Sequence, residues 1–184
     1  MVNGLELIGG RERRETRIVP YDASWPSAFV RERSRIDGAL GGQARRIDHI
    51  GSTSVPGLAA KPIIDIDVSV DDPDAEDTYV PALEDAGYRL RVREPGHRML
   101  RTPTLDVHVH VCATGSDWER RHLLLRDWLR TDPRDRTAYA ALKQDLARRD
   151  WPDMNAYAGA KSDLIKHISD RAERWAAVTG WRPD

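Results

Sequence analysis

The sequence predicts an α+β or α/β domain in which a short mixed β-sheet is followed by a layer of C-terminal helices. Three observations lead there. Segments 63–70 and 104–112 alternate apolar and polar residues with the period of a half-buried strand. Beyond Gly115 the apolar residues recur instead at helical spacing. No repeat or low-complexity tract interrupts the chain, and 184 residues suffice for one real core.

Residues 1–16 are polar and rich in Gly and Arg, and are expected to form a flexible N-terminal arm ahead of a single domain over 17–184. In that domain the sheet part covers about 17–115 and the helices about 116–178. Arg17–Val19 reads as a short extended piece before a turn at Tyr21-Asp22. Ser24 then caps a helix with Pro26 in its first turn, Phe29, Ile36 and Leu40 on one face, and Gly41-Gly42 at its end. Arg45–Ile50 is the next strand, running into the turn Gly51-Ser52-Thr53-Ser54. Pro56-Gly57 and Pro62 prevent a long helix in the link that follows.

Ile63–Val70 directs Ile64, Ile66, Val68 and Val70 one way and Asp65, Asp67 and Ser69 the other, and its β-branched residues suit a central strand. Asp72 and Pro73 open a helix carrying Tyr79, Leu83 and Ala86, which Gly87 closes. Tyr88–Arg93 and Arg98–Arg101 form strands around Pro95-Gly96, a hairpin whose Glu94, His97 and Arg98 are candidates for the rim of a pocket. In Thr104–Cys112, Leu105, Val107, Val109 and Val111 oppose Asp106, His108 and His110. Ser116 caps a helix with Trp118, Leu125, Trp128 and Leu129. Pro133 starts another with Tyr139, Leu142 and Leu146. A last helix runs from about Asn155 past Trp175.

A net charge of −1, 40% hydrophobic and 32% charged residues describe a soluble globular chain without global attraction for nucleic acid or anionic lipid. No run approaches the roughly 18 apolar residues of a membrane span. The opening MVNGLELIGGRERRE lacks a signal-peptide core, so the cytoplasm is the expected compartment. The lone cysteine, Cys112, excludes an internal disulfide and a Cys-based zinc site. Lysines are scarce (Lys61, Lys143, Lys161 and Lys166) in an arginine-heavy chain.

Asp65 and Asp67 carry the chemistry. Alternate residues on a strand lie roughly 6.5–7 Å apart on one face. Two ionised carboxylates about 6 Å apart repel by roughly 3 kcal/mol at an effective dielectric near 20. A divalent cation reverses that sign, and Mg²⁺ takes one or two carboxylates and completes its shell with water and phosphate oxygens. The preceding turn supplies the complement. Gly51 permits close backbone approach, Ser52, Thr53 and Ser54 offer hydroxyls, and successive N–H groups can cradle an anion. A phosphate cradle followed by an aspartate pair suits a nucleoside triphosphate, with ATP first among candidates. His108 and His110 share a face with Asp106 and could be sheet histidines, catalytic groups, or ligands of Mn²⁺ or another transition metal. Lys61 lies between turn and strand, within reach of a phosphate. Arg126 is either the ion partner of Asp127 or a substrate contact.

HIGSTSVPGLAAKPIIDI, residues 49–66, resembles the signature of the GrpB family, a branch of the nucleotidyltransferase-fold superfamily. VPYDASWP, HVHV, RDWLR, YAALK and YAGAKSDLI extend the resemblance over residues 17 to about 175. The resemblance implies a nucleotidyltransferase-like fold and a third acid on a strand neighbouring Asp65-Ile66-Asp67. In GrpB-like proteins histidine marks that strand: His110 fits the family position, and Asp106 could complete a carboxylate triad. Leu125 stands where Phe is frequent, a change of packing. The resemblance also implies that Lys161 neutralises a β- or γ-phosphate. Asp65 and Asp67, with His108 or His110, would hold metal, and Asp106 or a histidine would serve as third ligand or base. The reaction implied is metal-dependent transfer of a nucleotidyl group to a small-molecule acceptor. An acyl-adenylate ligase and a non-catalytic module for a nucleotide or coenzyme A-type ligand are the alternatives, the latter because family members occur fused to dephospho-coenzyme A kinases. A zinc hydrolase built on His108 and His110 ranks third.

Overall fold

The computed structural model describes residues 4–13 and 16–183. Six strands, β1 (Glu6–Leu7), β2 (Arg46–Ile50), β3 (Ile64–Val70), β4 (Arg89–Glu94), β5 (His97–Arg101) and β6 (Val107–Ala113), form one mixed sheet. Their order is β1-β4-β5-β6-β3-β2, with β3 and β6 parallel and every other pair antiparallel. Helices α1 (Trp25–Leu40) and α2 (Val80–Asp85) lie on one side. Helices α3 (Asp117–Thr131), α4 (Pro133–Ala147), α5 (Met154–Gly159) and α6 (Ser162–Thr179) follow the sheet in sequence.

Period-two patterning explains this layering. Ile64, Ile66, Val68 and Val70 join Val107, Val109, Val111 and Leu100 in the main core, against Ile36 and Leu40 of α1 and Leu83 of α2. The opposite face carries Asp65, Asp67 and Ser69 beside His108, His110 and Cys112, in the register Asp65 to His108, Asp67 to His110 and Ser69 to Cys112. Helix α3 covers part of it: Glu119 accepts from Ser69 Oγ at 2.5 Å and from the Gly115 N–H at 2.6 Å. A second core joins Val55 and Leu58, just past the Gly51 turn, to Leu129, Tyr139 and Ile168 of the helices.

Four expectations change. The proposed arm is docked over its described part: Glu6–Leu7 pairs with β4, Arg91 donates to the carbonyls of Ile8 and Gly10, and Arg101 pairs with Glu12. Residues 1–3 and 14–15 of that arm lie outside the described residues. The helix expected from Asp72 begins only at Val80, because Asp72 Oδ1 accepts from the Asp74 N–H in a local turn and Pro81 tolerates only a first helical turn. The strand expected from Thr104 begins at Val107, because Leu105 has φ +66° and the chain turns there. The last helix breaks after Gly159 into α5 and α6.

Candidate functional site

The turn after β2 is built around Gly51, at φ +66°. A Cβ at this position would stand 2.5 Å from Asp65 Oδ2 and 2.9 Å from Asp65 Cβ, so only glycine lets the bend rest on that carboxylate. The hydroxyls behind it serve the turn itself. Ser54 Oγ donates to the Gly51 carbonyl at 2.6 Å, and Thr53 Oγ1 donates to the Ile63 carbonyl and meets His49 Nε2, each at 3.0 Å. Thr53 and Ser54 are thus engaged in structure. Ser52 is different: its Oγ accepts from Lys143 Nζ at 2.8 Å, and that ammonium also donates to the Ala59 carbonyl at 2.6 Å. From outside, Arg130 clamps the Ser54 carbonyl at 2.9 and 3.1 Å.

Lys143 meets this turn, Lys161 is close enough to act on Lys143, and Lys61 shares the Tyr157 ring with Lys161. Lys143 is 3% exposed. Burial lowers its pKa to about 7, the Lys161 cation adding to the fall and Asp65 opposing it. Lys61 Nζ and Lys161 Nζ lie 3.9 and 4.8 Å from the centre of one ring, that of Tyr157. Lys161 is also lowered by burial, with Asp65 acting against the fall.

The two aspartates have separate surroundings. Asp65 Oδ1 lies 3.2 Å from His108 Nδ1 and 3.9 Å from His110 Nε2. Burial pushes Asp65 up, but the two imidazoles outweigh it and hold the carboxyl well below the usual range. One donor atom from each of Asp65, His108 and His110 lies within 4.8 Å of the other two, a set able to hold a divalent ion. Asp67 is outside that set. It is 1% exposed, neither oxygen is hydrogen-bonded, and His122 Nδ1 lies 3.5 Å away. Burial pushes its pKa well above the ordinary value, with Asp48, Asp65 and Glu119 adding to the rise and Trp118 opposing it. Within the chain, therefore, the two acids differ: imidazoles favour the charged form of Asp65, while burial and neighbouring acids disfavour that of Asp67.

The remaining candidates divide. Asp106 Oδ1 accepts from Thr102 Oγ1 at 2.6 Å and Thr104 Oγ1 at 2.5 Å; burial raises this carboxyl, but the two hydroxyls win and lower it. It stands one strand position before the cluster rather than within it, and lines a cavity of about 450 Å³ together with His108 and Lys61. Arg126 is held inside the fold by Asp127 at 2.7 Å and, at 3.4 Å each, by Asp48 and the His49 carbonyl. These contacts are those of the ion-pair alternative.

This arrangement has relatives. A family model described as GrpB protein matches residues 15–171. The chain belongs to the GrpB family. A UPF0157 protein of Streptomyces coelicolor is 52% identical to it over 79% of this chain and 77% of its own length. The crystal structure of GrpB from Enterococcus faecalis superposes with a TM-score of 0.76 at 32% identity, covering 86% of this chain and 99% of that one. A dephospho-CoA kinase of Mycolicibacterium paratuberculosis is 34% identical over 93% of this chain, which spans 49% of the kinase. The GLD-2/RNP-8 complex matches at a TM-score of 0.53 and 15% identity, over 80% of this chain and 58% of that one. That last likeness is one of fold alone, and the fold is nucleotidyltransferase-like.

The GrpB site contains groups that sequence reasoning left aside. Lys143 was named among the scarce lysines and within YAALK but given no role at the site. His97, read as a rim residue, is instead buried and bonded to His110, its Nε2 lying 3.0 Å from His110 Nδ1. Burial, aided by His110, lowers its pKa to about 2, so the ring is neutral. Trp118 stacks on His97 at 3.8 Å. Its hairpin neighbour Arg98 turns to the other side, to Glu76 and Asp74. A signal did exist for His97: a polar residue predicted beside a strand turn, three positions from Glu94.

Proposed function

We propose that this GrpB protein transfers a nucleotidyl group from an NTP, ATP first, to a small-molecule acceptor. The observation that carries the reading is Lys143 on the Gly51 turn with Lys161 near enough to act on it and Lys61 beside Lys161 on the Tyr157 ring, Asp65 being the acid that offsets Lys143 and Lys161 electrostatically. The Lys161 cation disfavours charge on Lys143, a cost that an incoming polyanion removes. A divalent ion held by Asp65, His108 and His110 would supply the rest of the neutralisation and polarise the α-phosphorus.

In this reading the Gly51 bend seats the phosphates against Asp65, while Lys143 and Lys161 draw charge toward the leaving pyrophosphate. The acceptor occupies the 450 Å³ cavity, whose wall includes His108, Asp106 and Lys61. Asp106, ionised and aimed by two threonine hydroxyls, takes the acceptor's proton. With a carboxylate acceptor the same attack gives an acyl-adenylate, the ligase form of the reaction.

The test is release of pyrophosphate from ATP with Mg²⁺ or Mn²⁺ across a panel of hydroxyl, amine and carboxylate acceptors. Release that Asp65→Asn protein loses while remaining folded supports transfer. One observation favours a second reading: Asp67, the other acid of the strand, is buried, makes no hydrogen bond and lies outside the metal-ligating set. A binding module would therefore gain thermal stability from ATP and form no product with any acceptor.

A further inference from the structure

His110 makes its closest polar contact on the side away from Asp65. Its Nδ1 lies 3.0 Å from His97 Nε2, and His97 Nδ1 lies 2.7 Å from Glu94 Oε1. His97 Nδ1 faces the Glu94 carboxylate oxygen and is placed to donate to it. With that proton on Nδ1, His97 Nε2 is free to accept from His110 Nδ1. A metal ligated through His110 Nε2, the atom turned toward Asp65 Oδ1, would place the ring's proton on Nδ1, where His97 Nε2 can accept it. The His97 ring cannot readily rotate out of this role, because it is 4% exposed and stacked on Trp118.

The chain of contacts from Glu94 through His97 thus ends in an imidazole beside a carboxylate and a second imidazole. Mg²⁺ prefers oxygen ligands and several waters, whereas two nitrogens in a set of three suit borderline ions. We propose that Asp65, His108 and His110 bind a first-row divalent ion of the Zn²⁺, Co²⁺, Fe²⁺ or Mn²⁺ type in preference to Mg²⁺, and that Glu94 and His97 are positioning residues that fix the ligating tautomer of His110. Three protein ligands leave open positions for water or substrate. A hydrogen-bonded carboxylate and imidazole behind a ligating histidine also raise its basicity. The inference shares its cleft with the transfer reading but does not depend on it.

Co²⁺ is the probe, added to the full chain after removal of metal with EDTA and followed by calorimetry and visible absorption, with no nucleotide present. The expected result is one Co²⁺ per chain, bound at least about 100-fold more tightly than Mg²⁺. His110→Ala should abolish that binding. Glu94→Gln and His97→Gln should weaken it by about 10–100-fold while the metal-free circular dichroism stays that of the wild type. Glu94→Gln, on the half-buried hairpin, serves if the His97 variant does not fold. Equal affinity for Mg²⁺ and Co²⁺, or unchanged Co²⁺ binding in His110→Ala, overturns the metal site. Wild-type affinity in Glu94→Gln overturns the positioning role. Protein that releases pyrophosphate with Mg²⁺ yet discriminates against Co²⁺ overturns the inference and leaves transfer standing.

Discussion

Lys143 offers a perturbation whose size can be worked out. Its amine is buried between the Ser52 hydroxyl and the Ala59 carbonyl, and its pKa falls from the ordinary 10.5 to about 7, chiefly through burial. The unfolded chain keeps this proton to about pH 10.5, whereas the folded chain gives it up near pH 7. Between those values the unfolded state binds more protons, so stability from this group rises with pH and its penalty is full below pH 7. At 1.36 kcal/mol per pH unit, going from pH 7 to pH 9 should add about 2–3 kcal/mol of stability. For a chain of this length that is a rise in Tm of about 5–10 °C. Lys143→Met removes the proton and retains most of the bulk, so its stability should lack this slope. Urea unfolding of both proteins at pH 7, 8 and 9 measures the difference directly. Curves that stay parallel across that range would refute the burial of a neutral-leaning amine. The same physics links to function: a bound triphosphate restores the charge, so ATP binding near pH 8 should take up a proton in the wild type and not in Lys143→Met. Calorimetry in buffers of different ionisation enthalpy reads that uptake.

Two further substitutions separate the turn from the chamber beside it. Gly51→Ala places a methyl 2.5 Å from Asp65 Oδ2 at φ +66°, and should cost about 1–3 kcal/mol and displace the carboxylate, seen as a lower Tm together with weakened ATP-dependent stabilisation. Asp106→Asn keeps a shape that Thr102 and Thr104 can still bond, so stability should change by no more than about 1 kcal/mol and Co²⁺ affinity should hold. Pyrophosphate release should fall by about 100-fold or more, and undiminished release would reduce Asp106 to a fastener of the turn at Leu105.

The legible parts of this fold were those encoded locally. Alternation along Ile63–Val70 and 104–112 exposed both the core face and the Asp/His face, because a strand repeats every two residues whatever it packs against. The glycine of the turn was visible for its backbone freedom. Lys143 was not, because its partner Ser52 stands 91 positions earlier, and a helical lysine carries no mark of what it will meet. Asp106 kept the phase of its strand in the sequence, yet the positive φ of Leu105 begins the strand one residue later. The splitting of the Asp65 and Asp67 environments was equally hidden. It arises because β6 supplies imidazoles to one acid while α3 closes over the other.

Site and core are two faces of one register. In the parallel pairing of β3 with β6, Asp65 meets His108 and Asp67 meets His110, while on the reverse face Ile66 meets Val109 and Val68 meets Val111. A slip of one residue would set valines beside the aspartates and drive both histidines into the apolar core. The buried rows Ile64, Ile66, Val68 and Val107, Val109, Val111 forbid that slip, so hydrophobic packing on one side holds three ligand atoms within 4.8 Å on the other. The Gly51 turn adds a second constraint, since its missing side chain lets the bend press on Asp65 from the β2 side. The cluster is therefore held by the most stable part of the molecule. Substitutions in the lining of the neighbouring cavity can then leave the Asp65, His108 and His110 cluster undisturbed.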